Sequence, residues 1–171
     1  MVATREPGGP VRDLLVTGEP GRWDAAEEAL LNYAQRHAHW RGLVAPALAA
    51  GKLVLCDRFA DSTMAYQGYA GGLGREAIEA LHRWTLGDCR PDLTLVCDLP
   101  AELGLARARG RGGPDRFERK GLKFHQELRA AFLDIAAREP ARCAIIDATR
   151  TAPQMLEDAL AVLQERLRIS A

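Results

Sequence analysis

The sequence predicts an α/β fold built on a parallel sheet with helices on both faces. Four short apolar segments consist of β-branched residues and leucine without polar alternation, which is typical of strands buried on both faces. Helical patterns fill the chain between them, and this alternation favours parallel strands joined by right-handed crossovers. The predicted strands are 2–4, 53–56, 93–97 and 144–146.

Six stretches carry helical patterns. The first begins at Asp24, where Glu27 stands at the spacing of a capping box, and extends to Ala49. A second begins at Ser62. The others cover 75–86, 101–109, 122–138 and 152–168. Because no repeat, linker or low-complexity tract divides the chain, we expect residues 1–171 to form one domain.

The composition is that of a globular protein with one core. The chain has 171 residues, of which 47% are hydrophobic and 27% charged. Its formal net charge is zero, so no overall field attracts nucleic acid or a membrane, and we expect neither as a partner. Arginine far outnumbers lysine, which suits bidentate phosphate binding and equally suits a general compositional bias.

The cysteines and histidines form no recognisable metal-binding motif. Neither CxxC nor HExxH occurs among the four cysteines and four histidines, so we expect no metal held by these residues. No signal peptide is evident, and no apolar run approaches the roughly 18 residues of a membrane helix. These features predict a reducing, cytoplasmic setting.

Charged residues follow all four predicted strands. Because the carboxyl ends of parallel strands share one edge, where ligands bind, we expect a site there. Asp57-Arg58 is the most informative pair, since an arginine can grip phosphate through two hydrogen bonds. The aspartate would hold that arginine or lie near a metal ion, and a structural ion pair is the alternative. The strand-end segments are 5–9, 57–58, 98 and 147–150.

Two helical faces extend this hypothesis. Asn32 and Arg36 are four residues apart, and Arg36 could donate to a base carbonyl; an exposed pair is the alternative. The second face would lie over the Asp57-Arg58 edge and includes an aromatic ring suited to a nucleoside, although a solvated face has the same pattern. Its residues are Ser62, Thr63, Tyr66 and Gln67.

Between residues 107 and 119 the helix 101–109 gives way to a Gly/Pro break, and this segment is rich in arginine. Such a flap can close on a polyphosphate and stabilise transferred charge, and phosphoryl transfer depends mostly on positioning and electrostatics. A flexible surface loop or an RNA-contacting patch are alternatives, but zero net charge and few aromatic residues disfavour RNA. Its arginines are Arg107, Arg109, Arg111, Arg116 and Arg119.

These segments resemble the bacterial thymidylate kinases, which phosphorylate dTMP to dTDP with ATP and magnesium. The resemblance covers nearly the whole chain in family order. It implies a P-loop NTPase-like, three-layer nucleoside monophosphate kinase fold, a lid at about 107–121 and a homodimer. The matching segments are TREPGG (4–9), YAxR (33–36), PALxxG (46–51), DRxxxSTxxYQG (57–68), RPDLTL (90–95), DRFE (115–118) and IDAT (146–149).

The resemblance also implies roles for single residues. Arg58 would hold the dTMP phosphate with Asp57 beside the metal and phosphates, and Arg116 would act with them. The monophosphate wall would include Glu6, Pro7 and Arg12. Thymine and deoxyribose would contact Arg36, Ser62, Thr63, Tyr66 and Gln67. The lid would use Arg107, Arg109, Arg111 and Arg116, and Arg150 would border adenine.

The sequence departs from the family in three places. It contains no GxxxxGK[ST] phosphate-binding loop and no strand before one, only Pro10 and Val11 separate Gly9 from Arg12, and Asn32 replaces a thymine-stacking Phe. The missing strand is central in the family. Unpaired buried backbone groups would cost about 1–3 kcal/mol each, against a total stability of about 5–15 kcal/mol. We therefore expect a marginal isolated monomer.

Three functions follow from these observations. The first is dTMP kinase activity in the intact protein, with the 171-residue chain itself inactive because nothing in it cradles the ATP phosphates. The second is a degenerate, non-catalytic module for nucleotide binding or dimerisation. The third is another nucleoside or nucleotide kinase on the same fold, which would not need the polar face that begins at Ser62.

Overall fold

The computed structural model describes residues 1–19, 21–109 and 116–168. Within them four strands form two two-stranded parallel sheets, β1 with β2 and β3 with β4. All four predicted strands are confirmed, each bound lying within one residue of its expected position. The strands are β1 (Val2–Arg5), β2 (Val54–Asp57), β3 (Thr94–Asp98) and β4 (Cys143–Asp147).

In each sheet, the strand register places the last residues of the two strands opposite each other. Arg5 lies opposite Asp57 at the end of the first sheet. Asp98 lies opposite Asp147 at the end of the second. Because both pairs are parallel, the charged residues that follow each strand start from the same edge of their own sheet.

Helices connect the strands. The helix α2 opens on the expected capping box, in which Asp24 Oδ1 accepts from the Glu27 amide at 2.8 Å and Glu27 Oε2 accepts from the Asp24 amide at 2.9 Å. The helices are α1 (Gly9–Val16), α2 (Ala25–His39), α3 (Ala45–Ala49), α4 (Ala60–Thr63), α5 (Arg75–Leu86), α6 (Ala101–Arg109), α7 (Leu122–Arg138) and α8 (Ala152–Leu167).

The helical segments differ from the expected ones at three points. The helix α1 was not expected, although Pro10 suits its first turn because that position needs no amide donor. A π-helical turn, Trp40–Val44, separates α2 from α3. A second π turn, Met64–Tyr69, continues α4. The wider turn changes which side chains share a face, so the α-helical spacing assumed from Ser62 onward is only partly right.

The described residues form two compact units. The first lies within Met1–Cys89 and Pro114–Lys120 and contains β1 and β2. The second lies within Arg90–Gly113 and Gly121–Ala171 and contains β3 and β4. One domain over residues 1–171 stays a prediction.

Each unit has its own core. In the first, Ala29 and Tyr33 of α2 are buried, as is Ile78 of α5, which packs on α2. In the second, α7 buries Leu128 and Ile135 on the side that contacts β3 and β4. Their seven-residue separation corresponds to two helical turns and so to one face. In the described ranges, no helix has the length and apolarity needed to cross a membrane.

Candidate nucleotide site

The carboxyl end of β2 carries an exposed ion pair and a left-handed residue. Arg5 Nη2 donates to Asp57 Oδ2 at 2.8 Å, and their side chains are 59% and 62% exposed. Arg58 follows with φ at 72° and places its guanidinium 5.2 Å from the Tyr66 ring centroid. A left-handed non-glycine residue costs about 1–2 kcal/mol and is typical of functional sites. Asp57 therefore pairs with Arg5, while Arg58 is turned toward the helix that follows.

The predicted residues Glu6 and Arg36 form a buried ion pair. They are 2% and 1% exposed, and Arg36 Nε lies 2.6 Å from Glu6 Oε2. The other oxygen, Glu6 Oε1, lies 2.8 Å from His39 Nδ1. Asn32 instead turns back to its own helix, donating to the Glu28 carbonyl at 2.8 Å. The alternative of an exposed Asn32–Arg36 pair is therefore wrong.

The rest of the Arg36 guanidinium lies in a polar and aromatic pocket. Its Nη2 donates to Thr63 Oγ1 at 3.0 Å and to the Phe59 carbonyl at 3.3 Å. The group lies 4.5 Å from the Tyr33 ring centroid and 5.4 Å from that of Phe59. Its Nη1 is buried and has no hydrogen-bond partner. Since buried polar atoms are nearly always paired, this Nη1 is a donor suited to a ligand acceptor.

The polar residues after Arg58 are buried or half-buried. Thr63 and Gln67 are each 2% exposed, and Ser62 and Tyr66 are half-buried. Gln67 Nε2 donates to the buried Glu28 Oε2 at 2.7 Å. The alternative of a solvated helix face is therefore wrong for Thr63 and Gln67.

Arg116 is fully buried in the first unit. Its Nη2 lies 2.7 Å from Glu28 Oε1, and its Nε donates to the Leu15 carbonyl at 2.9 Å. Its backbone amide donates to the Val16 carbonyl at 3.1 Å. Burial of a charged guanidinium requires a nearby anion, which Glu28 supplies. The arginine that the sequence placed on a flap is thus held in the interior, and Arg111 lies outside the described residues.

The remaining residues of the monophosphate wall lie near the start of the chain. Pro7 is half-buried and joined to Glu6 by a cis peptide bond. Arg12 is half-buried on α1. Both stay predicted contacts.

The predicted arginines of α6 lie in the second unit. Arg107 is exposed and donates through Nη1 to the Ala148 carbonyl at 2.7 Å, with a longer contact of 3.5 Å to the Thr149 carbonyl. Arg109 is exposed at the end of the helix. Arg107 thus adjoins the segment that follows β4, and its role in the lid stays a prediction.

The strand ends of the second unit carry ion pairs near the surface. Arg150 pairs with Asp158. Arg129 grips Asp98 with Nε and Nη2 at 2.7 and 2.8 Å, and this bidentate contact lowers the pKa of Asp98. Hydrogen bonds from the Thr149 hydroxyl and amide lower the pKa of Asp147. These carboxylates stay ionised at neutral pH.

A histidine and a cysteine complete the surroundings of Glu6. Potential ligand atoms of Glu6, His39 and Cys56 lie within 4.8 Å of one another. Burial, with the Glu6 and Asp57 carboxylates, raises the pKa of the Cys56 thiol to about 12, and Sγ donates to the Arg58 carbonyl at 3.0 Å. Metals bind the thiolate, so a metal at these three residues would have to displace the Cys56 thiol proton.

Sequence reasoning did not identify two residues of the site, His39 and Glu28. His39 stands three residues after Arg36, and this helical spacing was the only available signal. Glu28 resembled an ordinary helix-surface glutamate, and its partners Gln67 and Arg116 lie far away in the sequence.

Comparisons with known proteins identify the family of this chain. The sequence profile of a family described as Thymidylate kinase matches residues 1–159. A thymidylate kinase of Caulobacter vibrioides is 54% identical over 153 residues, spanning 86% of this chain and 74% of the relative. One from Bradyrhizobium sp. is 47% identical over 175 residues, spanning 98% and 77%. The crystal structure of a thymidylate kinase from Ehrlichia chaffeensis superposes with a TM-score of 0.75 at 31% identity, covering 95% of this chain and 81% of that one.

Proposed function

The chain belongs to the thymidylate kinase family of nucleoside monophosphate kinases and has its P-loop NTPase-like α/β fold, and from this premise we propose that it binds dTMP for phosphoryl transfer from ATP. The observation that carries the proposal is the buried Arg36. One of its amino groups, Nη1, has no hydrogen-bond partner, while Glu6 and Thr63 fix the rest of the guanidinium. Such a fixed donor suits a base carbonyl.

The inward polar residues form the proposed nucleoside wall. Thymine presents a carbonyl oxygen at C4, where cytosine presents an amino group. The Arg36 donor therefore accepts thymine and would face a second donor in cytosine. Ser62, Thr63 and Gln67 complete the polar contacts, and the half-buried Tyr66 ring is suited to pack against the sugar.

The proposed phosphate end uses the left-handed Arg58 and Arg12, with Glu6 and Pro7 in the wall. A guanidinium can hold phosphate through two hydrogen bonds. Arg36 and His39 flank the Glu6 carboxylate. Because Arg36 is positively charged, it reduces the repulsion between the Glu6 carboxylate and an anionic ligand.

Asp57 is the proposed residue beside magnesium. Mg²⁺ prefers carboxylate, water and phosphate oxygens, and it usually takes only one or two protein carboxylates. The exposed Asp57 carboxylate fits this role, since Oδ2 contacts Arg5 and the group is 62% open to solvent. Magnesium, when bound with ATP, neutralises charge on the transferred phosphoryl group.

The arginines of the proposed lid, at about 107–121, would stabilise the same developing charge. They are Arg107, Arg109, Arg111 and Arg116, with Arg150 beside adenine. Arg109 is exposed and available. Arg116 would have to exchange its contact with Glu28 before it could touch a phosphate.

We also propose that the 171-residue chain by itself has negligible kinase activity. They contain no GxxxxGK[ST] sequence, and the backbone amides and lysine of that motif normally cradle the ATP phosphates. The absence of the family's first strand from this sequence belongs to the same proposal.

Calorimetric titration tests the proposal. We expect dTMP to bind more tightly than dUMP by severalfold, because a buried methyl group contributes about 1 kcal/mol. We expect dCMP to bind at least about 10-fold more weakly than dTMP, because its amino group faces a donor. Equal affinities for dTMP and dCMP would refute the role of Arg36. Coupled ADP release measures turnover, and robust turnover would refute the predicted inactivity.

A non-catalytic nucleotide-binding or dimerisation module is the second candidate. Asn32 favours it, because its amide contacts the Glu28 carbonyl and offers no stacking face. Binding of dTMP without ATP, joined to an absence of turnover when a P-loop segment is supplied, would support the module. Turnover restored by that segment would support the kinase.

A homodimer through α2 and α5 is a further part of the proposal. Trp84 is 82% exposed on α5 and Leu30 is 56% exposed on α2. His37, on α2, lies 2.7 Å from the Thr85 carbonyl, which brings the two helices together near Trp84. Large exposed apolar residues of this kind are typical of interfaces. Light scattering of the parent and Trp84→Glu tests it, with a dimer expected only for the parent.

The cytoplasm is the proposed location. None of the four cysteines, all of which lie in the described ranges, forms a disulfide, which suits a reducing compartment. Nucleic acid is not among the proposed partners, because the formal net charge is zero.

A further inference from the structure

Glu28 is a buried carboxylate with partners on three segments. It is 2% exposed. Oε2 accepts from Gln67 Nε2 at 2.7 Å. Oε1 lies 2.7 Å from Arg116 Nη2 and 3.8 Å from Lys120 Nζ. One side chain of α2 thus joins the π turn that carries Gln67 to the segment 116–120.

The same segment supports the neighbouring nucleoside residue. The ring of Phe117 meets that of Tyr66 edge to face at 5.3 Å between centroids. Arg116 lies over the Phe117 ring at 4.6 Å, and Lys120 approaches it at 5.2 Å. When Glu28 holds Arg116 in place, it therefore also holds the Phe117 ring, against which Tyr66 packs.

We propose that Glu28 is a positioning residue for the nucleoside: it orients Gln67 directly and Tyr66 through Arg116 and Phe117. This inference rests on the proposed function, because it takes Tyr66 and Gln67 as dTMP contacts. The role is indirect, since both Glu28 oxygens contact other side chains of the first unit, one through a hydrogen bond and one through an ion pair.

The role requires a carboxylate. An ionised carboxylate can accept from Gln67 on one oxygen while the other forms an ion pair with Arg116. A glutamine offers one acceptor oxygen, and its amino group would face a donor. A glutamine can keep the contact with Gln67 or the contact with Arg116, but not both. Loss of the first would free Gln67 in the nucleoside wall, and loss of the second would release the segment 116–120.

The test compares Glu28→Gln with Glu27→Gln in the 171-residue chain. Glu27 is the neighbouring exposed residue, and glutamine still completes a capping box, so this control makes the same chemical change without touching the network. Two quantities are measured at a temperature where circular dichroism shows both variants folded. They are dTMP affinity by calorimetry and amide hydrogen exchange of residues 116–120 with and without dTMP.

We expect Glu28→Gln to weaken dTMP binding at least about 10-fold, the size of one lost hydrogen bond to a charged group. In the parent and in Glu27→Gln, dTMP should slow exchange at 116–120, and in Glu28→Gln this effect should disappear. A merely structural Glu28 would lower the unfolding temperature but leave the affinity of the folded variant unchanged.

The outcomes separate this inference from the proposed function. A parent that does not bind dTMP refutes the proposed function. A parent that binds while folded Glu28→Gln binds within twofold and keeps the protection refutes the role of Glu28. If Glu28→Gln does not fold, Glu28→Asp replaces it. That variant keeps the charge but withdraws the carboxylate by one methylene, and affinity within twofold of the parent again refutes the inference.

Discussion

The two units of the molecule bury different kinds of residue. In the first unit the interior includes charged and polar side chains, whereas in the described part of the second unit the buried residues are apolar. The ion pairs of the second unit, such as Asp98–Arg129, are partly exposed. The buried polar or charged residues of the first unit are Glu6, Glu28, Arg36, Asp61, Thr63, Gln67, His82 and Arg116.

Under the proposed function, this difference separates a region that binds a ligand from a region that serves packing. A buried ion pair is weak support for stability, because desolvation opposes its Coulombic gain. An apolar interior of the same volume would serve stability equally well. The charges at Glu6, Arg36 and Glu28 are therefore better explained by the fixed donors they create than by the stability they provide.

The largest predicted effect follows removal of Arg36. Arg36→Met leaves Glu6 buried beside His39 without its arginine, and breaking a buried pair costs about 3–5 kcal/mol. Urea unfolding should report this loss, and calorimetry should show dTMP binding weakened by about 10- to 100-fold. Arg41→Met, an exposed position next to α2, is the matched control and should leave both quantities unchanged. If Arg36→Met were as stable as this control, the buried charges of the first unit would not differ in energetic importance from exposed charges, and the contrast with the second unit would be contradicted.

A smaller effect is expected at the Asp98–Arg129 pair. Arg129 lowers the pKa of Asp98 in the folded chain, so the pair stabilises the fold above the unfolded value of about 3.9 and loses that contribution as pH falls through the folded pKa. Asp98→Asn should therefore lower the unfolding temperature at pH 7, by less than Arg36→Met. The difference from the parent should shrink toward pH 3. A difference that is constant between pH 7 and pH 3 would contradict this assignment.

The smallest predicted effect concerns two cysteines. The Cys56 pKa of about 12 leaves the thiol protonated at pH 8, and alkylation requires the thiolate. Cys97, at the surface of the second unit, is exposed. Iodoacetamide followed by peptide mass spectrometry should show Cys97 modified at least about 10-fold faster. Equal rates would show that the surroundings of Cys56 are less apolar than the structure indicates.

Much of the fold could be predicted because its signals are local. Apolar runs define strands, and the capping box at Asp24 defines the start of α2. The π turn Met64–Tyr69 could not be predicted, because an extra residue in a helical turn leaves no mark on a short polar pattern. The residues of the proposed site were found at strand ends and by family resemblance.

Burial within the site was the part that sequence reasoning missed. Arg36 and Arg116 look alike in the sequence, and both could have been exposed arginines. Each is buried because an acidic partner distant in the chain, Glu6 or Glu28, neutralises it. Pairing between distant residues depends on the packed structure and has no local signature.

The sequence by itself determined the strands, the polar residues at their carboxyl ends and the family. Those features depend on side-chain type and spacing along one segment. Only the tertiary structure decided that Arg36 keeps a free Nη1 and that Glu28 joins Gln67 to Arg116. These outcomes depend on which charges are excluded from water together, and that is determined when distant segments pack.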